Sequence, residues 1–317
     1  MAAEKLSMAS SSPCSKTKKI ELYTPQFYAS CAIGGMLSCG LTHLLVTPLD
    51  LVNPKIYSSV LDGWTQIYRS RGFPALFEGW GPTAIGYSFQ GACKFGFYEF
   101  FKKEFTDAVG EDVAFKYRTG LYLAASASAE VIADVALCPW EAIKVRMQTS
   151  ATPYASGVRS AGAKLLASEG ISSLYKGLAP LWMRQVPYTM MKFACFETTV
   201  EAIYRYVLSA KPKHEYNKLQ QLGATFAAGY WAGIFCAVVS HPADTVVSKL
   251  NQSNSGGAAK VLQDLGFRGV WRGLGPRIVM VGTLTALQWF IYDTFKVYIG
   301  LPTSGAAPAA PASLKRE

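Results

Sequence analysis

Charge is scarce in this chain. Only 16% of its 317 residues are Asp, Glu, Lys or Arg, against half that are apolar, where a soluble domain carries about 25% charged residues. No long run is purely aliphatic either: Gly, Ala and Ser interrupt every apolar stretch, as in "CAIGGMLSCG", "AASASAE" and "AAGYWAG". The seven cysteines form no CxxC and no paired spacing, which indicates neither a disulfide framework nor a zinc site and suits free thiols in a reducing compartment. The first 24 residues mix Lys with Glu4 and Glu21 around no apolar core, so they are not a secretory signal and are expected to form a disordered head, with a weak mitochondrial presequence as the alternative. No nucleotide-cradling glycine loop, metal-ligand spacing or nucleophile–base arrangement is present, so neither an enzyme nor a cofactor is expected.

What is present is six apolar stretches of near-equal length, at 26–47, 80–101, 119–138, 179–200, 222–241 and 276–299. Each has the ~17–25 residues that a membrane-spanning helix needs, and their small residues let such helices approach closely. A buried soluble core is the competing explanation, but six matched spans argue against it. The loops after the odd-numbered spans (53–79, 144–178, 247–275) carry net +1, +4 and +3, and those after the even-numbered ones (102–118, 201–218) carry 0 and +2. By the positive-inside tendency the odd spans end on the inner side and both termini lie outside.

Three columns repeat along the chain. Pro-x-acid closes each odd span at Pro48–Asp50, Pro139–Glu141 and Pro242–Asp244. A Gly–x4–aromatic–x–Gly run, "GFPALFEG", "GISSLYKG" and "GFRGVWRG", precedes each even span. Aromatic–acid pairs, Tyr98-Glu99, Phe196-Glu197 and Tyr292-Asp293, close the even spans, with Lys102, Val200 and Lys296 three positions after the acids. The last two columns step by 98 and then 96 residues. Repetition at a fixed period signals one supersecondary unit used three times. Each unit is a helix bent at its proline, a short inner segment and a second helix. The expected divisions are 1–24 head, 25–110, 111–212 and 213–300 repeats, and 301–317 an unstructured Pro/Ala-rich tail.

Polar residues inside spans are costly, roughly 2.5–3.5 kcal/mol each at the midplane, and mark a pathway or a partner. Lys94, Lys192 and Gln288 sit five residues before the three even-span acids, in symmetry-equivalent places near the axis. Tyr87 and Gln90 share the Lys94 face, and Gln185 and Tyr188 share the Lys192 face, with Arg184 beside them, because offsets of four and seven return to one side of a helix. Cations with amide and phenol donors suit a small tetrahedral oxyanion. His43, Glu130 and Asp134 lie on neighbouring helices. A carboxylate kept from water binds protons more readily and histidine titrates near neutrality, so these three are candidate proton carriers, although Glu130 could equally serve as a structural partner of Lys94. Glu99 falls about 140° from the Lys94 face. It is expected to pair with a base on the next even helix and, with Lys102, Glu197, Asp293 and Lys296, to close the outer end. Val200 leaves that network one base short.

The Pro-x-acid-x-x-basic-x-basic pattern, followed by Gly and aromatic-x-Gly, resembles the mitochondrial carrier family over residues 23–299. Within it, "SHPADTVVSKLN", "RQVPYTMMKFACFE" and "GYSFQGACKFGFYEFF" resemble the phosphate-transporting members. The resemblance implies an all-α fold of six transmembrane helices in three pseudo-threefold repeats with short inner-face helices, in the mitochondrial inner membrane. It implies inorganic phosphate moved with a proton, or against hydroxide, by alternating access to one central site. It ties His43, Glu130 and the motif acids to the proton. The partners expected are phosphate, protons and the bilayer, cardiolipin included, for a monomer that binds no nucleic acid. Copper or another small solute is the alternative cargo, since Cys39 and His43 are one turn apart and Cu(I) favours such ligands. The inner gate of the family pairs each motif acid with a base three positions on. Asp50, Glu141 and Asp244 are present, but only Lys144 matches on the basic side, against Asn53 and Val247, so Asp50–Lys144 is expected to be the only inner pair. The resemblance also implies that about one and a half helical turns are missing after Val52, which would impair transport.

Overall fold

A computed structural model of the chain describes residues 20–50, 60–149, 154–155, 157–209, 213–250, 258–271 and 273–305. Ten α-helices are formed among these residues: α1 (Pro25–Asp50), α2 (Val60–Arg71), α3 (Trp80–Val109), α4 (Glu111–Lys116), α5 (Arg118–Thr149), α6 (Val158–Glu169), α7 (Leu178–Ala202), α8 (Lys218–Leu250), α9 (Ala258–Val270) and α10 (Leu274–Tyr298). The six long ones, α1, α3, α5, α7, α8 and α10, pack each against the next and α10 returns to α1. The result is a closed six-helix ring. Pro48, Pro139 and Pro242 lie inside α1, α5 and α8, where each removes a backbone donor and bends the helix. Trp64 of α2 donates its indole N–H to the Pro48 carbonyl at 2.8 Å, so one carbonyl at the first bend has a partner.

The ring closes tightly because small residues meet at its crossings. Gly35 of α1 faces Gly91 of α3, and Gly233 of α8 faces Gly282 of α10; a Cβ on Gly35, Gly91 or Gly233 would collide with the opposing helix, and one on Gly282 would press on the Tyr230 ring. Where bilayer replaces water, such close approach supplies the packing that hydrophobicity cannot. Large apolar side chains point away from the ring, among them Leu37, Leu41, Leu45, Phe89, Trp231 and Phe235. The repeated Gly72, Gly170 and Gly266 share a positive φ of 77°, 74° and 58°. That conformation strains any residue with a Cβ, and it explains why the second sequence column begins on glycine each time.

By length and composition alone, α1, α5, α8 and α10 are apolar enough to cross a membrane. Helices α3 and α7 fall short because they carry Lys94, Glu99 and Lys102 and Arg184, Lys192 and Glu197. Of these, Lys94, Glu99, Lys192 and Glu197 are buried within the ring, so the polarity is internal. One expectation fails at the end of the chain. Residues 301–305, assigned to an unstructured tail, are packed: Leu301, Thr303 and Ser304 are buried, because α10 ends beside acceptors and donors that this segment satisfies. Residues 51–59, where the missing turns fall, and the side chains of Asp50 and Val247 lie outside the described residues.

Candidate functional site

A layer of aromatic side chains divides the ring into two ends. Phe95, Tyr98, Phe193, Phe196, Trp289 and Tyr292 form one buried cluster, with Phe196 stacked on Trp289 at 3.6 Å and 3°. On the Pro-x-acid side of this layer lies a cavity of about 360 Å³. Tyr87, Gln90 and Lys94 of α3, Arg184, Gln185, Tyr188 and Lys192 of α7, and Gln288 of α10 all line it. His43 also lines it, stacked on Tyr87 at 3.6 Å. Toward the Pro-x-acid end the wall continues through Glu141, Lys144, Asp244 and Arg277. The cavity therefore gathers every oxyanion-binding candidate read from the sequence.

The two lysines differ in company. Lys94 and Lys192 are 3% and 1% exposed, far less than lysine tolerates without a partner. Lys94 Nζ lies 2.9 Å from Glu130 Oε2, whereas Lys192 has Gln288 Oε1 as its acceptor and no acid partner among the described residues. Glu130 and Asp134 are both fully buried and stand behind the cavity wall rather than in it. Gln90 joins them, its amide donating to Glu130 Oε1 at 3.0 Å and Asp134 Oδ1 at 3.1 Å. Asp134 Oδ2 is buried with no hydrogen-bond partner among the described residues. Among the described residues, a single amide and a single ammonium thus serve the two carboxylates. On α7 and α10, Tyr188 O–H and Thr285 Oγ1 meet at 3.3 Å. Lys94 thus both pairs with Glu130 and lines the cavity.

At the Pro-x-acid end, Lys144 lies 4.0 Å from Glu141 on its own helix and 5.3 Å above the Tyr87 ring. The expectation of a single inner pair is incorrect. Asp244 is ion-paired with Arg277 of α10, which also donates to Ser240 Oγ at 3.3 Å. The base that Val247 does not supply comes from the first turn of the neighbouring helix. Arg277 was missed because its counterparts in the other repeats, Thr83 and Leu181, are uncharged; an arginine opening an apolar span was the available signal.

At the opposite end, near the termini, Glu99 pairs with Lys102 on its own helix at 2.9 Å, not with a base on the next even helix as expected. Their i, i+3 spacing puts them side by side. Lys102 then reaches Glu197 of α7 at 3.7 Å, and Tyr98 O–H meets Glu197 Oε1 at 3.4 Å. Asp293 accepts from Thr225 Oγ1 at 2.8 Å, and Lys296 donates to Ser304 Oγ at 3.3 Å. These contacts lie at and beyond the aromatic layer, and the cavity lies on its other side. Cys39 and His43, the copper candidates, have different surroundings: Cys39 packs into the aromatic cluster and His43 stacks on Tyr87.

Three repeats, each a proline-bent helix paired with a second helix and closed around one polar cavity, are the architecture of a membrane carrier. The family model described as mitochondrial carrier protein matches residues 24–109, 116–207 and 219–302, and the chain belongs to the mitochondrial carrier family. Among curated proteins it is similar to the phosphate carrier protein, mitochondrial, of Caenorhabditis elegans, 56% identical over 94% of this chain and 88% of that one. It is likewise similar to mitochondrial phosphate carrier protein 3 of Arabidopsis thaliana, 54% identical over 95% and 82% of the two chains. The probable mitochondrial phosphate carrier protein of Schizosaccharomyces pombe is 52% identical over 93% of this chain and 98% of that one.

Proposed function

We propose that this chain transports inorganic phosphate across the mitochondrial inner membrane together with a proton, or equivalently against hydroxide, by alternating access, and that it acts as a carrier and not as an enzyme. The observation that carries this reading is the convergence of Lys94 and Lys192 on one cavity, with Lys94 tied to Glu130. The relatives named as phosphate carriers support the choice of cargo.

The geometry suits a specific sequence of events. Phosphate entering from the Pro-x-acid end meets Arg184 and then Lys192, whose donors match its oxygens. Lys94 is held by Glu130 until a proton reaches the Glu130–Asp134 pair. Protonation of Glu130 releases Lys94, which then turns its ammonium to the bound oxyanion. Gln90 keeps the two acids in register, and Tyr87, Gln185, Tyr188 and Gln288 complete the polar wall. His43 borders the same cavity and gives a route by which the proton reaches the acids. With the charge of the cargo now matched inside the ring, the motif acids Asp50, Glu141 and Asp244 and the base Lys144 close the Pro-x-acid end, where Arg277 already holds Asp244. Glu99, Lys102, Glu197, Asp293 and Lys296 separate at the other end. Release of phosphate lets Lys94 return to Glu130 and expels the proton. One chain contains the complete ring and its cavity, which supports a monomer as the working unit, with bilayer lipids, cardiolipin among them, around it.

Purified chain in liposomes with an imposed pH gradient should accumulate labelled phosphate above its external concentration, and the accumulation should collapse when the gradient is removed. Folded protein with no uptake under either condition refutes the reading. Uptake that rises when a Lys-containing turn is inserted after Val52 would place the shortened segment as an impairment of transport.

A further inference from the structure

Resting on the reading of the chain as a transporter, we infer that Leu301–Gly305 is a working part of the gate at the termini end: a strap that supplies the closing bond that Val200 leaves out, and that must lift for the cavity to open there.

The symmetry of the ring defines the vacancy. Each even helix ends on an acid followed three residues later by a second gate position, which is Lys102 in α3, Val200 in α7 and Lys296 in α10. The base of α3 reaches the acid of α7, Lys102 to Glu197 at 3.7 Å. The same step from α7 to α10 would run from position 200 to Asp293, and valine has nothing to donate. The strap fills that step. The backbone N–H of Ser304 donates to both oxygens of Asp293, at 2.9 and 3.1 Å, and Gly305 lies so close to Val200 that a Cβ there would strike the valine side chain. Gly305 has φ of 71°, a conformation open to glycine that lets the strap turn over Val200. A backbone donor aimed at a buried carboxylate does what the missing lysine would do.

The strap is tied on every side to parts of the ring that must separate when this end opens. Leu301 packs with Phe27 and Cys31 of α1. Thr303 Oγ1 donates to Gln221 Oε1 of α8 at 3.1 Å. Lys296 of α10 donates to Ser304 Oγ at 3.3 Å. Lys213, in the connection between α7 and α8, donates to the carbonyls of Thr303 and Ser304 at 3.2 and 2.6 Å. Five residues thus link α1, α8, α10 and the α7–α8 connection across one mouth, above the aromatic layer.

Leu301→Cys places a thiol beside the native Cys31. Once oxidised, that variant in liposomes should lose its phosphate uptake, because a strap bridged to Cys31 cannot lift, and recover it with reductant. Full uptake by fully bridged protein overturns the strap. A chain that moves no phosphate before oxidation refutes the transport reading instead, and a readout independent of phosphate then decides the strap. Removal of residues 301–317 should expose Cys39, beneath the gate, to an impermeant maleimide added at the termini side, and Val200→Lys in the shortened chain should protect it again. Cys39 as protected as in the full chain, with Cys31 labelled, reduces the strap to a cover and overturns its role. The same labelling pair decides the matter if the disulfide does not form.

Discussion

Replacing Glu130 by Gln tests the coupling of proton to phosphate at its central bond. Glu130 and Lys94 are both buried and their charged atoms lie 2.9 Å apart. The amide keeps an oxygen to accept from Gln90, as Glu130 Oε1 does at 3.0 Å, but turns an N–H toward the Lys94 ammonium. Breaking a buried pair by removing one partner costs ~3–5 kcal/mol, because the survivor is left charged without compensation. For a chain of this size that corresponds to roughly 6–10 °C in melting temperature. Lys94→Met should be destabilising for the converse reason. The double variant, which removes both charges, should be at least ~2 kcal/mol more stable than the sum of the single effects. Thermal unfolding in detergent, followed by tryptophan fluorescence, reads all three. In liposomes Glu130→Gln should still exchange phosphate for phosphate, which needs no net proton movement, and lose uptake driven by a pH gradient. Additive destabilisation, or gradient-driven uptake at the native rate, would refute the idea that this pair carries the proton's message to the cation.

Lys192→Met removes the cation that has no acid partner among the described residues, and should raise the KM for phosphate by roughly 10–100-fold, the worth of one charge-assisted hydrogen bond, with unfolding little changed; an unaltered KM would exclude Lys192 from the binding site. Gly233→Leu forces a side chain into the backbone of Gly282, and overpacking of about 1–3 kcal/mol or more should appear as lost yield and a lower melting temperature, against none for Gly223→Ala, which meets open space. Lys213 lies outside the spans, and burial, partly offset by Asp293 and Glu197, pushes its ammonium from 10.5 down to about 8. Lys296 and Lys218 also lower it. A base whose folded value is depressed costs stability in full below about pH 8 and ceases to cost it as pH climbs toward 10.5. The chain should therefore gain thermal stability between those limits, and Lys213→Met should flatten that slope; a slope unchanged by the substitution would assign it to another group.

The parts of the molecule that repeat were legible, and those that break the repeat were not. Lys94, Lys192 and Gln288 could be placed on one cavity because period and helical offset put symmetric residues near the axis, and they do line it. The six helices were legible for the same reason, although α3 and α7 are too polar to read as spans alone. Glu130 could be matched with Lys94 because both are charges at similar depth in neighbouring helices. Arg277 with Asp244, and Ser304 with Asp293, were invisible. Each joins a residue with no counterpart in the other repeats to an acid that the pattern leaves without a base, and no periodicity announces a unique event. The strap was further hidden by its composition, since Pro, Thr, Ser and Gly read as loop until a carboxylate is found waiting for the backbone.

The stack of Phe95, Phe193, Phe196, Trp289 and Tyr292 has an electrical consequence. Voltage falls where water is missing, so the field of an energised membrane, about 2.3 kcal/mol per charge for each 100 mV, is concentrated across this thin dry septum and not spread over the whole bilayer. Lys94 and Lys192, just on the cavity side of it, rest near the potential of the compartment that the cavity faces. In the alternating-access cycle proposed above, the dry zone passes to their other side, and these cations would change compartment electrically while scarcely moving in space.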